Sequence, residues 1–273
     1  MYVNSDATVQ NNKLVSIITP LYNCERFIGQ TIESVLAQTY PEWEMVVVND
    51  GSTDGGAEIV RRYAAQDERI RLFEQPNKGC AAARNRALNE AKGRYYVFLD
   101  ADDYWDPDFL EKQLAFMKAK NAAIVTCSIR RVNEEGKEIL RPQPVPEKMD
   151  YYDILKSCNL PCLATVIDAS KLHDIRFREE LHNLRDDYAL WLSLMKQTDY
   201  AYGNPEVLAN YRLSARQVTA NKRKVIIPQF MVNYKVEKLG FCRSLYYLGL
   251  WAWNGYCKYR KCITWVWANK KKL

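Results

Sequence analysis

Three aspartates follow a short apolar run in the middle of the chain, at a spacing that could hold a metal ion. The run is Tyr95–Leu99, and Asp100, Asp102 and Asp103 come directly after it. Carboxylates this close repel one another, and the end of a buried strand is a costly place for charge, so we expect a cation beside them. Mg²⁺ and Mn²⁺ prefer oxygen ligands, and Mg²⁺ is commonly held by one or two carboxylates plus substrate phosphates. The stretch therefore predicts a site for a divalent metal and a phosphate-containing ligand.

A second interpretation of this loop is helix capping. Asp106-Pro107 has the pattern of an N-cap followed by proline at the first helical position. Capping could explain one of the acids, but it does not explain all three.

The elements that must position these acids alternate between strands and helices. Such alternation predicts right-handed crossovers and a mostly parallel sheet with helices on both faces. The predicted strands are Leu14–Ile18, Met45–Val48, Ile70–Phe73, Tyr95–Leu99 and Ala123–Ile129, followed by candidates at Leu160–Ile167 and Glu206–Arg212. The predicted helices are Glu25–Gln38, a segment through Ile59 and Tyr63, Ala81–Ala91, a segment from Phe109 to Met117, Tyr151–Asn159 and a segment beginning near Arg185, while Arg130–Lys148 is predicted to be a connection.

Ligands of such sheets bind outside the carboxyl ends of the strands. Pro20, Tyr22 and Asn23 follow the first predicted strand, and Asp50 follows the second. They should therefore lie at the same edge as the three aspartates. The chain has no G-x-G-x-x-G after its first strand and no P-loop lysine motif, which disfavours dinucleotide and P-loop nucleotide binding.

Composition narrows the class of protein. The first twelve residues are polar and lack the apolar core of a signal peptide, so we expect a disordered start, 1–12, and no export. The eight cysteines include no C-x-x-C pair, which favours reduced thiols in a cytoplasm over disulfides or a zinc site. The two histidines are too few for a histidine-rich metal site.

Positive charge is concentrated in the C-terminal segment. Residues 221–273 contain twelve Lys and Arg against one acid, Glu237, while the rest of the chain carries a net charge of −5 within the total of +6. Aromatic residues are interleaved with these cations, and the longest uncharged run, Ser244–Cys257, has fourteen residues, too few to cross a bilayer. The segment predicts a helical tail that lies on an anionic membrane surface.

Other interpretations of the tail remain open. Its aromatic residues could pack on the rest of the chain, or on a second copy in a homo-oligomer. Nucleic acid would also suit basic and aromatic residues, but no known nucleic-acid motif accompanies them, so no nucleic acid is expected as a partner.

At this point the motifs resemble those of the family 2 glycosyltransferases, which have the GT-A fold. The matching stretches occur in the family's order and run from about Leu14 to Thr219. They are Val15–Asn23, Ile32–Tyr40, Val48–Asp54, Asn77–Gly79 with Ala83–Asn85, the DxD motif Asp100–Asp103, and Asp186–Trp191 in place of the "ED…LW" motif. The sequence around Asp187 is similar to that of bacterial capsule, teichuronic acid and lipopolysaccharide sugar transferases. The resemblance implies a Rossmann-like catalytic domain, 13–220, with a nucleotide-binding half, 13–130, an acceptor half, 131–220, and the C-terminal helical extension, 221–273.

The resemblance also implies a role for each matching residue. Asp102 would coordinate the metal, Mn²⁺ or Mg²⁺, and Asp187 would be the catalytic base that deprotonates the acceptor. Asp50 would recognise the base of the nucleotide, expected to be uracil. The other implied nucleotide-sugar contacts are Pro20, Tyr22, Asn23, Lys78, Arg84, Asp100 and Ala101.

The last motif departs from the family's pattern. Ser214 occupies the position where many relatives have a histidine. Arg212 or Arg216 could contribute charge at the diphosphate instead, or the metal could bind more weakly. Both arginines could also be solvated surface residues. Asp186 and Trp191 are further candidates for acceptor contacts, although acids in the first turn of a helix are also explained by the helix dipole.

The sequence therefore predicts an inverting, metal-dependent glycosyltransferase. It would move a sugar from a nucleotide-sugar, expected to be a UDP-sugar, to a saccharide or lipid-linked acceptor in bacterial surface polysaccharide synthesis, at the inner face of the cytoplasmic membrane. Two alternatives remain: a nucleotidyltransferase or phosphotransferase on sugar phosphates, and a non-catalytic subunit that binds sugar nucleotides.

Overall fold

A computed structural model describes residues 11–181, 185–213 and 222–269. Its core is a parallel sheet formed by β1 (Asn11–Leu21), β2 (Trp43–Asp50), β3 (Ile70–Gln75) and β4 (Gly93–Phe98), in the order β3-β2-β1-β4. Every residue of β2 is buried, as expected for a parallel strand covered on both faces. β1 begins at Asn11, earlier than predicted, and residues 1–10 lie outside the described part of the chain.

Helices cover both faces of this sheet, as predicted. Met45 and Val47 of β2 belong to one hydrophobic cluster, while Val46 and Val48 point to the opposite face and belong to another. The first cluster receives the apolar stripes of α1 (Glu25–Leu36), α2 (Gly56–Ala64) and α4 (Phe109–Ala119), and the second those of α3 (Cys80–Glu90), α5 (Tyr151–Lys156) and α6 (Asp186–Met195).

The second half of the chain extends the sheet. β9 (Val166–Asp168) lies antiparallel between β4 and β6 (Ile124–Val132), and β10 (Ala201–Arg212) pairs in parallel with β6. The short β5 (Tyr104–Trp105) pairs with the far side of β10. The predicted strand Leu160–Ile167 is therefore shorter than expected.

The missing part of that strand is a single 3₁₀ turn, Cys162–Ala164. Thr165 closes it by donating from its backbone N–H to the carbonyl of Cys162 and from its hydroxyl to the carbonyl of Pro161. The turn buries Leu163 and Ala164 in the first cluster. The apolar composition of this stretch therefore reflects burial of a turn, not formation of a strand.

The predicted connection 130–148 contains two strands. β7 (Glu138–Gln143) forms a hairpin with β6, and β8 (Lys148–Met149) pairs with β10. β7 has a polar, half-buried sequence that includes Pro142, which is typical of an edge strand. Its composition therefore resembled that of a loop.

The C-terminal extension is helical, as predicted. It consists of α7 (Lys222–Met231), a π-helical turn (Val232–Val236) and α8 (Phe241–Asn269). α8 packs on the rest of the protein through Tyr247, which joins the second cluster, and Asn254, whose Nδ2 donates to the carbonyl of Lys156 at 3.1 Å. Within the described ranges, none of the helices combines the length and the apolar character needed to traverse a bilayer.

Candidate active site

The loops after β1 and β2 are tied to each other. Asn23 lies in the left-handed region, with φ of 50°, which asparagine tolerates better than most residues. Its Oδ1 accepts from the amide of Thr53 at 2.8 Å. Next to this pair, Asp54 accepts from the amide of Glu25, and Glu25 accepts in return from the amide of Gly55.

These bonds hold two neighbouring loops at the carboxyl edge of the sheet. The side chain of Tyr22 is 51% exposed there, and Pro20 is partly exposed. Both residues are therefore accessible to a ligand at this edge.

Asp50 organises the next loop of this edge. Its side chain is buried, and it accepts hydrogen bonds from Gln75 Nε2 and the amides of Lys78 and Gly79, all at 2.8 Å. Two of these bonds use Oδ1 and one uses Oδ2, so Oδ2 retains capacity to accept from a ligand. Lys78 itself is exposed on the same loop.

The aspartate loop after β4 is fixed by backbone contacts. Leu99 donates to the carbonyl of Ile18, and Asp103 donates from its backbone N–H to the carbonyl of Asp100 at 3.1 Å. The hydroxyl of Thr31, on α1, lies 2.9 Å from the carbonyl oxygen of Ala101 and 2.8 Å from that of Asp103. Ala101 therefore contributes backbone geometry to the loop.

Asp103 serves the structure of this loop. Its side chain is fully buried, and its Oδ1 accepts from the amide of Arg212 at 2.8 Å. Burial raises the pKa of Asp103 well above its usual range, and the charges of Asp102 and Asp100 act in the same direction. A buried carboxyl that accepts from the backbone of β10 is suited to positioning the loop.

Arg212 is buried against the same loop. Its Nε donates to the carbonyl of Asp102 at 2.7 Å, and its two other nitrogens donate to the carbonyl of Glu134 and to Gln30 Oε1, each at 2.6 Å. These contacts support a positioning role and lend no support to the expected diphosphate contact. Arg216, the other candidate, lies outside the described residues, as does Ser214.

The carboxyl group of Asp102 is the candidate metal ligand of this loop. Burial and the neighbouring charge of Asp100 raise its pKa to about 6. A divalent ion would favour its charged form, and an oxygen-only donor set suits Mg²⁺ or Mn²⁺. The described ranges contain no group of three or more His, Cys, Asp or Glu side chains placed to hold a metal. An ion held by the aspartates would need further ligands, which the phosphates of a substrate could supply.

Cys24 lies beside these acids but is a poor candidate ligand. Burial raises the pKa of its thiol to about 12, and Asp102 and Asp100 contribute in the same direction. Because a metal binds the thiolate, Cys24 stays outside the expected coordination sphere.

Arg84 connects the aspartate loop to the last motif. Its Nη2 donates to Asp100 Oδ1 at 2.6 Å and its Nη1 to Asp186 Oδ2 at 3.3 Å. The side chain is only 8% exposed, and the guanidinium lies 5.0 Å from the ring of Phe177. Burial raises the pKa of Asp186, while the charge of Arg84 opposes that effect.

Acids from three motifs act on the thiol of Cys80, the first residue of α3. Burial raises the pKa of this thiol to about 12; Arg84 opposes the shift, while Asp100, Asp186 and Asp50 add to it. The hydrogen bonds of Arg84 and of the amides before α3 hold these acids near the start of that helix.

Asp187 is positioned by the first turn of α6. Its Oδ1 accepts from the amide of Tyr188 at 2.7 Å, and its side chain is partly exposed, whereas that of Asp186 is buried. The N-terminal end of a helix stabilises a negative charge. Asp187 and Asp100 both act on the buried thiol of Cys162, so Asp187 borders the same site and has an oxygen available to a ligand.

Trp191 packs in the core. It is fully buried and packs edge-on against Phe98, with ring centroids 6.2 Å apart. This burial anchors α6 in the core and gives no support to the expected contact with the acceptor.

Sequence reasoning missed the residues that support the aspartate loop. Gln30 and Thr31 lie on α1 and contact Arg212 and the loop carbonyls. In the sequence, the only feature that could have identified them is that they are polar residues within an amphipathic helix that packs on the sheet.

Comparisons with known proteins agree with this architecture. The sequence model described as Glycosyl transferase family 2 matches residues 16–173. The chain is 40% identical to the putative teichuronic acid biosynthesis glycosyltransferase TuaG of Bacillus subtilis, over 85% of this chain and 91% of TuaG. It is 37% identical to the UDP-Glc:alpha-D-GlcNAc-diphosphoundecaprenol beta-1,3-glucosyltransferase WfgD of Escherichia coli, over 80% and 85% of the two chains.

Solved structures share the fold. S. aureus TarS 1-349 in complex with UDP superposes with a TM-score of 0.62 at 23% identity, covering 80% of this chain and 65% of the TarS chain. The mannosyltransferase PcManGT from Pyrobaculum calidifontis, in complex with GDP-Man and Mn2+, gives a TM-score of 0.62 at 22% identity, covering 83% and 64%. The predicted GT-A architecture is thereby confirmed, and the chain belongs to glycosyl transferase family 2, the family of glycosyltransferases that its motifs resemble.

Proposed function

We propose that this enzyme transfers a sugar, with inversion, from a UDP-sugar to a lipid-linked saccharide in bacterial surface polysaccharide synthesis. One observation carries the proposal. Arg84 holds Asp100 and Asp186 together, and these are the sequence neighbours of the candidate metal ligand and the candidate base. A nucleotide-sugar bound at Asp102 would therefore present its anomeric carbon close to Asp187.

The reaction is a single displacement. Asp187 accepts the proton of the acceptor hydroxyl, whose oxygen forms the new bond to the anomeric carbon. The bond from that carbon to the diphosphate breaks, and UDP leaves with the bonding electrons. Attack opposite the leaving group inverts the configuration, as it does when two carboxylates divide this work in inverting glycosidases.

Asp102 and Asp100 would hold the divalent ion and the ribose. When bound, such an ion neutralises the negative charge that develops on the leaving diphosphate. The raised pKa of Asp102 supports this assignment, and PcManGT, which shares the fold, was solved with Mn2+.

A uracil nucleotide fits the first two loops. Oδ2 of Asp50 can accept the N–H of a base, and Tyr22 offers an exposed ring at the same edge of the sheet. TarS was solved with UDP, and WfgD is named for UDP-Glc. Lys78, Asn23 and Pro20 complete this proposed nucleotide site.

The names of two relatives and the exposed residues of the tail both support a lipid-linked acceptor. WfgD and a second E. coli enzyme, WfaP, are named for acceptors linked to diphosphoundecaprenol. The tail exposes large apolar side chains on α7, on the π-helical turn and on one side of α8, which a membrane surface would cover. They are Ile226, Ile227, Tyr234, Phe241, Leu245, Tyr246, Trp253 and Tyr256.

The occupant that we propose for this face is an anionic lipid surface. The net charge of +11 in residues 221–273 complements anionic head groups, whereas two copies of the same basic tail would repel each other. The inner face of α8 packs on the catalytic domain through Tyr247 and Asn254. Packing on the rest of the chain therefore involves one face of α8, and the membrane surface is proposed for the other.

The product that is released separates this proposal from its alternatives. The purified chain, incubated with Mn²⁺, a panel of UDP-sugars and diphospholipid-linked saccharides, should release UDP in step with glycosylated product. A nucleotidyltransferase would instead release pyrophosphate from a nucleoside triphosphate and a sugar phosphate. A binding subunit would retain the UDP-sugar without turnover, and either of these results would refute the proposal.

A further inference from the structure

Arg185 is a cation that the proposed mechanism does not use. It precedes α6 in the left-handed conformation, with φ of 66°, which is unusual for a long side chain. Its Nε and Nη2 atoms are buried, and neither has a hydrogen-bond partner among the residues that the structure describes. Such an arrangement is costly, because a buried donor of a charged group loses water without gaining an acceptor.

Two aromatic rings lie near the guanidinium. Its central carbon lies 4.6 Å from the ring centroid of Tyr188, one turn along α6, and 5.9 Å from that of Trp251 on α8. The nearby Asp186 already pairs with Arg84. The edge with Nε and Nη2 is left without an acceptor among the described residues.

A phosphate group is the ligand that this edge fits. A guanidinium edge presents two parallel N–H groups, which match two oxygens of a phosphate. The donor's diphosphate is placed at the aspartate loop by the proposed mechanism, so a phosphate at Arg185 must come from another molecule. The acceptor is the remaining substrate.

We propose that Arg185 binds the phosphate by which the acceptor saccharide is linked to its lipid. This inference rests on the proposed function, since it needs a diphospholipid-linked acceptor. Arg185 lies two residues before Asp187, so a sugar ring whose hydroxyl meets Asp187 would place its linking phosphate near Arg185. Trp251 belongs to the helix whose opposite face carries the exposed apolar residues, so the lipid chain would leave the phosphate toward that surface.

A binding measurement tests this inference independently of turnover. The full-length protein is saturated with UDP and Mn²⁺ to occupy the donor site, and octyl diphosphate is titrated in by calorimetry, with neutral octyl glucoside as the comparison ligand. We expect the wild-type chain to bind octyl diphosphate more tightly than octyl glucoside. Arg185→Gln should weaken octyl diphosphate binding about tenfold or more, because a charge-assisted bidentate contact is lost.

Two further variants test the bidentate geometry of the contact and control for a general loss of positive charge. Arg185→Lys should restore only part of the affinity, because an ammonium group is a point charge without the planar fork. Arg178→Gln is the matched control, since this exposed arginine pairs with Glu180 on the surface, and its binding should equal that of the wild type.

Three results would overturn the inference: equal binding of the two ligands by the wild type, unchanged binding by Arg185→Gln, or an equal loss for both ligands in that variant. Failure of the proposed function would appear elsewhere, as the absence of UDP release from every UDP-sugar by the wild-type enzyme.

Discussion

Nη1 of Arg84 lies 3.3 Å from Oδ2 of Asp186, although the two residues are 102 positions apart in the chain. Arg84 belongs to α3, and Asp186 is the first residue of α6. This buried contact therefore joins two helices that are distant in the sequence, at the place where the proposed transfer occurs.

Replacement of Arg84 should destabilise the protein and abolish transfer. In Arg84→Met, Asp186 would remain buried without its cation and Asp100 would lose its partner, and breaking a buried ion pair costs roughly 3–5 kcal/mol of unfolding free energy. Arg84→Lys should recover only part of the loss, because one ammonium cannot contact both carboxylates equally well. Urea unfolding measures the change in unfolding free energy of each variant.

Arg86→Gln provides the control for this experiment. Arg86 lies on the same helix, is 44% exposed and pairs with Glu90 on the surface, so its removal should change stability by less than about 1 kcal/mol. Equal losses for Arg84→Met and Arg86→Gln would contradict the bridging role.

Asp102→Asn should stabilise the metal-free protein while removing activity. The pKa of Asp102 is raised from 3.8 to about 6 in the folded state, so the unfolded chain releases its proton first as the pH rises. Folding is therefore disfavoured progressively between these two values, and the penalty is constant above pH 6. Asparagine removes this penalty, and we expect a gain of about 2–3 kcal/mol at pH 7.5 in EDTA.

Urea unfolding at several pH values checks both the sign and the window of this effect. The advantage of Asp102→Asn should shrink as the pH falls from 6 toward 4. A variant less stable than the wild type at pH 7.5 would show that Asp102 gains favourable contacts in the metal-free fold.

Binding of Mn²⁺ should weaken in acid. Because a metal ligand must be deprotonated and the pKa of Asp102 is raised to about 6, affinity should fall by up to about tenfold per pH unit below that value. Titration of Mn²⁺ in the presence of UDP-glucose, whose diphosphate does not titrate in this range, measures it between pH 7.5 and 5. Affinity that is flat over this range would exclude Asp102 as a ligand.

The exposed face of α8 should govern vesicle binding. Phe241, Tyr246 and Trp253 are each at least 60% exposed, and burying such side chains contributes about 1.5–3 kcal/mol each. The triple glutamine variant should therefore bind vesicles containing anionic lipid at least tenfold more weakly, as measured by co-sedimentation.

Tyr152→Gln serves as the control for this face, since Tyr152 is 57% exposed on α5 and should not affect vesicle binding. If the triple variant retained full vesicle binding but lost a dimer seen in the wild type by ultracentrifugation, the face would be a protein interface and the membrane proposal would fail.

The central sheet could be predicted because the buried strands of a parallel sheet appear in the sequence as continuous apolar runs. β2 is the clearest example, since all of its residues are buried. β7 escaped prediction because it is an edge strand with polar residues and Pro142, and its pairing depends on a hairpin partner that composition does not reveal.

The site was predictable as a set of motifs but not as a set of contacts. Asp103 and Asp102 are adjacent and chemically identical, yet one is fully buried and bonded to β10 while the other retains partial exposure. Arg212 resembles a surface cation in the sequence, but its partner Gln30 is 182 residues away. Trp191 shows the same limit, because the motif does not specify which face of α6 enters the core.

Replacement of Asp187 tests the proposed mechanism most directly. Asp187→Asn keeps the size of the side chain but removes the base, so UDP-sugar binding should be within about twofold of wild type while transfer to a lipid-linked acceptor falls at least 10²-fold. The single measurement is product formation by mass spectrometry, with donor binding determined on the same preparation. Transfer at the wild-type rate by Asp187→Asn would contradict the mechanism, because the acceptor would then be deprotonated by another group.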